Sequence, residues 1–63
     1  MKCDDILQIV NILFSLNGEA LEFEIAEESG LPIDRVHELL EAAVLRKLAL
    51  YDPDQGIWYA IFG

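Results

Sequence analysis

His37 is the only side chain in this chain built to exchange a proton near neutral pH, and carboxylates share its surroundings. Glu38 follows it directly, and Glu41 stands four residues on, at the spacing where side chains on a helix meet. An imidazole beside a carboxylate can serve as a general base or a pH switch. Nothing nearby extends that pair to catalysis. No serine or cysteine has a plausible base, Cys3 stands near the start of the chain, and there is no glycine-rich phosphate loop. A solvated surface histidine is therefore the preferred reading. Glu24, Glu27 and Glu28 form another acidic group, but a calcium loop needs alternating ligands around a glycine. One cysteine and one histidine fall short of the roughly four ligands of a structural zinc site. Neither an enzyme, a metal nor a cofactor is expected.

The elements that position these residues belong to a chain of 63 residues, hence one domain at most. A chain this short buries only about 60% of its unfolded surface. Its core supplies about 3–5 kcal/mol net without a staple. A lone cysteine offers no internal disulfide, so oligomerisation is the staple left open. Hydrophobic residues make up 54% of the chain, too many for a disordered tail. No apolar run approaches the roughly 20 residues of a membrane span. Asp4 and Asp5, with Gln8 and Asn11 inside the first apolar stretch, argue against a signal peptide. A cytoplasmic protein is expected.

Helix one is expected from Asp4 to Leu16, with Asp4 or Asp5 at its start and Asn17-Gly18 stopping it. A short extended piece, Ala20-Leu21-Glu22, precedes helix two at Phe23 to Ser29. Gly30 makes a tight turn, and Leu31-Pro32 leads into helix three, expected from Ile33 to Leu48. Ala49-Leu50-Tyr51 and Ile57-Trp58-Tyr59-Ala60-Ile61 read as two strands. Asp52-Pro53-Asp54-Gln55-Gly56 is the turn between them.

This order resembles the winged helix-turn-helix family over nearly the whole chain. Glu24-Ile25-Ala26-Glu27-Glu28-Ser29-Gly30-Leu31-Pro32 looks like the family's first motif helix and turn. The resemblance implies an α+β, mainly α fold: three helices and a small C-terminal β-hairpin wing. It also implies that Ala26 is small where two helices cross, and that Gly30 supplies a positive φ. Ile25, Leu31, Val36, Leu39 and Leu40 would pack the motif. Such a fold serves both DNA binding and protein contact.

Charge separates the two. Twelve acidic residues face four basic ones, for a formal charge of −8. Plain solubility is the simplest account of that total, so the placement matters more. At 100° per residue, Val36, Leu39, Leu40, Ala43 and Val44 form the core arc of helix three. Asp34, His37, Glu38, Glu41, Ala42 and Leu45 lie opposite, on the stripe that a DNA-reading helix would turn to the major groove. Base readout wants Arg, Lys, Asn or Gln there. Residues 19–28 add five glutamates without a base, and the wing tip carries Asp52 and Asp54. Only Arg35, Arg46, Lys47 and Lys2 are available as cations, and a DNA-binding alternative would be built on Arg35, Arg46 and Lys47, since non-specific affinity comes from cations at phosphates.

Two further surfaces are expected. Helix one is apolar over roughly 220° of its wheel, more than one core face needs. Leu7, Ile12, Phe14 and Leu16 would form a homodimer interface, unless the hairpin wraps over the surplus. In the hairpin, Leu48, Leu50, Tyr59 and Ile61 are expected inward, sending Tyr51, Trp58, Ala60 and Phe62 outward. Tyr51 and Trp58 then pair across the strands, as interface anchors or as simple hairpin stabilisers.

The resulting expectation is a protein-interaction or regulatory module. Asp34, His37, Glu38, Glu41, Leu45, Tyr51 and Trp58 would meet a protein partner with a basic or apolar patch. A DNA-binding transcriptional regulator is the alternative, with DNA the disfavoured partner. An acidic inhibitor that mimics DNA toward a basic protein is a special case of the first.

Overall fold

The structure, a computed structural model, describes residues 5–61. Six elements follow one another: α1 (Asp5–Ser15), β1 (Glu19–Leu21), α2 (Glu22–Ser29), α3 (Ile33–Leu45), β2 (Ala49–Asp52) and β3 (Ile57–Ala60). The fold is α+β and mainly α, three helices with a small antiparallel sheet and a C-terminal hairpin, as the sequence led us to expect. Met1, Lys2, Cys3, Asp4 and Phe62, and the expectations placed on them, lie outside the described residues.

In α3 the buried residues are those that the 3.6-residue period marks out, while in α1 the structure selects Ile9, Val10 and Leu13 from a broader apolar arc. Ile9 and Leu13 of α1, Ile25 of α2, and Val36 and Leu40 of α3 are fully buried. Val10, Leu39 and Ala43 join them, with Ala26, Leu31 and Val44 packed against the cluster. Between α2 and α3 the turn is tight. Gly30 sits at φ 74° and donates its N–H to Ala26 O. The Ser29 hydroxyl accepts the Leu31 N–H at 3.2 Å. At the start of α2, the Glu24 carboxylate reaches back to accept the Leu21 N–H at 2.8 Å, satisfying a donor that the first turn of a helix leaves orphaned.

Helix α3 stops at Leu45, three residues short of the expected Leu48. The chain reverses through Lys47, which takes a left-handed φ of 62°. Leu48 N–H then donates to Ala43 O at 2.8 Å, and Lys47 N–H to Val44 O at 3.0 Å. That pattern closes the helix as a glycine would, and it lets Leu48 pack against the core cluster. Helix α1 ends in the same way at Asn17 and Gly18, with Gly18 N–H on Leu13 O.

The sheet runs in the order β1-β3-β2. Glu19 pairs with Tyr59, Ala20 with Trp58 and Leu21 with Ile57; on the other side Ala49 pairs with Ala60, Leu50 with Tyr59, Tyr51 with Trp58 and Asp52 with Ile57. The expected facing is reversed for Leu50, Trp58 and Ala60, whereas Tyr51, the register partner of Trp58, is exposed and Leu48 packs against the core, both as expected. Trp58 is 3% exposed and Ala60 is buried, whereas Leu50 is 57% exposed. The core-facing side carries Ala20, Ala49, Ala60 and Trp58, and the outer side carries Leu21, Leu50, Ile57 and Tyr59. The inward face of alanines and one flat indole packs against the branched side chains of the three helices. A shift of one residue moves every side chain to the opposite face. At the hairpin tip, Asp52 accepts the Asp54 N–H at 3.0 Å and the Gln55 side-chain amide at 3.2 Å. Gly56 completes the turn at φ 70°.

Candidate functional site

The outer stripe of α3 and the hairpin meet at an open groove of about 420 Å³, lined by Glu41, Val44, Leu45, Tyr51 and Trp58. Each element delivers its part for a local reason. Val44 lies at the edge of the α3 core arc, while Leu45 lies on the solvent side and is 85% exposed. The β2–β3 register sets Tyr51 opposite Trp58, and their rings stack with centroids 4.4 Å apart at a 38° tilt. The indole supplies the buried floor and Tyr51 an exposed wall. The floor carries one unmet need. Trp58 Nε1 is buried without a hydrogen-bond partner among the described residues.

His37 stands beside the groove and touches two residues that line it, Glu41 and Trp58. Its Nδ1 lies 2.6 Å from a Glu22 oxygen on α2, and its Nε2 lies 3.3 Å from a Glu41 oxygen one turn along α3. Its ring stands edge-on to Trp58, 6.0 Å between centroids at 84°. The hydrogen bond to Glu22 is the main cause that raises its pKa above the ordinary value; desolvation opposes this, and the fields of Glu22 and Glu41 add to the rise. His37 is exposed, in keeping with a surface histidine, and its ring also touches α2 and the hairpin. Glu22 was missed in the sequence because it stands 15 residues away from His37, and only the crossing of α2 over α3 brings them together.

Of the residues expected to meet a partner, His37, Glu41, Leu45, Tyr51 and Trp58 form one continuous surface. Asp34 and Glu38 lie on the same helical stripe, both exposed. Trp58 contributes as a buried floor, not as a protruding anchor. Val44 belongs to the groove and was assigned to the core arc alone.

Among the described residues, Arg35, Arg46 and Lys47 do not gather into a second site. Arg35 reaches Asp5 on α1 at 3.1 Å and Glu38 at 3.4 Å. Arg46 and Lys47 stand beyond the other end of α3, about 16 Å further along the axis at 1.5 Å per residue. The four residues expected at a dimer face divide. Leu7 and Phe14 are exposed, while Ile12 and Leu16 pack against the core cluster.

Among the described residues, no helix is long and apolar enough to cross a membrane, and no cluster of three or more metal-ligating side chains occurs. Comparison with protein-family models, with curated proteins and with solved structures finds no match.

Proposed function

We propose that this chain is a winged helix-turn-helix type of domain that works as a protein-docking module, in the cytoplasm. Its groove between α3 and the hairpin receives a partner segment that carries an apolar side chain next to a cation. The order of elements, the Gly30 turn and the β1-β3-β2 sheet support the family reading. One observation carries the functional reading: Leu45, almost fully exposed, stands over an aromatic-floored groove whose polar rim is acidic. An exposed leucine beside a concave apolar surface is the chemistry of a contact site. The carboxylates of Asp34, Glu38 and Glu41 select a cationic partner and repel a phosphate backbone. The pairing of Arg35 with Asp5 and Glu38 further weakens any claim on DNA.

The test uses two probes. A synthetic amphipathic helical peptide of leucine and lysine is titrated into isotope-labelled protein, and shifts are expected at Val44, Leu45 and Tyr51. Reversal of charge in Glu38→Lys/Glu41→Lys is expected to remove them and leave the fold intact. A mixed-sequence DNA duplex, followed by anisotropy at low salt, is expected not to bind. Micromolar DNA binding that weakens steeply with salt would replace the docking reading with that of a regulator.

A further inference from the structure

We infer that His37 sets the charge that the groove presents: protonated, it holds Glu41 back, and neutral, it releases Glu41 to a cationic segment. This inference rests on the docking reading above and adds a regulation of the same site.

The geometry supports it through the donor count of an imidazole. Both ring nitrogens face carboxylates, Nδ1 toward Glu22 and Nε2 toward Glu41. Only the protonated ring has two N–H donors; the neutral ring has one donor and one lone pair. The doubly paired arrangement is therefore that of the imidazolium. On loss of a proton, the remaining N–H stays with the shorter bond, at 2.6 Å, to Glu22, whose side chain is 27% exposed. The bare Nε2 then faces the Glu41 carboxylate, and two acceptors repel. Glu41 is 63% exposed and free to swing, and it lines the groove.

The groups that face His37 are Glu22 from α2, Glu41 from its own helix, and Trp58 from the hairpin with Tyr51 stacked behind it. The two carboxylates stabilise the charged ring, which moves the switch upward from the ordinary histidine value. Linkage makes the effect mutual: a cation that engages Glu41 must lower the proton affinity of His37.

The single histidine of the chain makes the test direct. Its ring protons are titrated by NMR in the wild type, in Glu22→Gln and in Glu41→Gln, with and without the leucine–lysine peptide. Both variants and the peptide are expected to lower the His37 midpoint. Peptide affinity is expected to rise severalfold as pH rises across the titration. In His37→Gln that dependence is expected to vanish. A midpoint unmoved by Glu41→Gln overturns the inference. So does peptide binding that is equally tight on both sides of the titration, or a pH dependence that survives His37→Gln; in either case the docking reading stands. Absence of peptide binding at every pH overturns the docking reading, and the inference with it.

Discussion

Tyr51 and Trp58 face each other as register partners on β2 and β3, and their rings stack at 4.4 Å. One ring is buried beneath the helices and the other half-exposed. The pair therefore joins the core to the groove wall. A stacked aromatic pair contributes about 0.5–1.5 kcal/mol beyond its area. Tyr51→Ala is expected to lower stability by at least that much and to shift Trp58 emission to longer wavelength, as water reaches the indole. Tyr51→Phe keeps the ring and is expected to stay within about 0.5 kcal/mol of the wild type, as surface changes usually do. Urea unfolding followed by Trp58 fluorescence reads both.

Leu40 and Leu45 make the cleanest contrast on one helix. Leu40 is fully buried and Leu45 almost fully exposed. Leu40→Ala is expected to cost about 2–5 kcal/mol, which leaves so small a domain largely unfolded at room temperature. Leu45→Ala is expected to change stability by less than about 0.5 kcal/mol while weakening capture of the amphipathic peptide. A thermal melt and a peptide titration separate the two effects.

Backbone conformation yields a pair of opposite outcomes. Lys47 adopts a left-handed φ, a conformation that costs an L-residue about 1–2 kcal/mol. Lys47→Gly removes that strain but adds chain entropy, so a net gain of up to about 1 kcal/mol is expected. Gly30 has the same handedness, and a β-carbon there would meet nothing within 4 Å. Gly30→Ala is thus expected to lose about 1 kcal/mol from backbone strain alone, without a steric clash. Chemical unfolding midpoints at constant m-value check both.

His37 makes stability depend on pH with a definite sign. Its pKa is raised in the folded protein. Its contribution is therefore complete below the unfolded value of about 6.5 and is lost as pH rises through the folded value. Glu22→Gln removes the chief cause of the shift, and it is expected to flatten that slope. Melting temperatures at closely spaced pH values above 6 read the difference.

Arg35 joins α1 to α3 through Asp5, and both side chains are about half exposed. Exposed ion pairs contribute about 0–1 kcal/mol. Arg35→Ala is expected to fall within that range, to lose its effect at high salt, and to leave DNA binding absent at low salt. Unfolding at two ionic strengths and the duplex anisotropy measure these outcomes.

Much of this molecule was legible in its residues. The apolar excess of α1 left its buried edge open, whereas the core arc of α3, the turn at Gly30, the stop at Asn17-Gly18 and the acidic outer stripe all follow from a period of 3.6 residues and from local turn chemistry. Those are short-range properties, set by neighbours within four or five positions. What only the tertiary structure decided involves separations that such rules do not span. The pairing of β1 with β3 depends on Gly18 O meeting Ala60 N–H. The face that the sheet turns inward depends on its packing against Ile9, Leu13, Ile25, Val36 and Leu40, residues far from it in the chain. Helix α3 ends at Leu45 because Leu48 must reach the core, which the helical period alone does not register. The bond between Glu22 and His37 exists because α2 crosses α3 there. The sequence determined which residues are acidic, apolar or able to hold a proton; packing determined which of them share a groove.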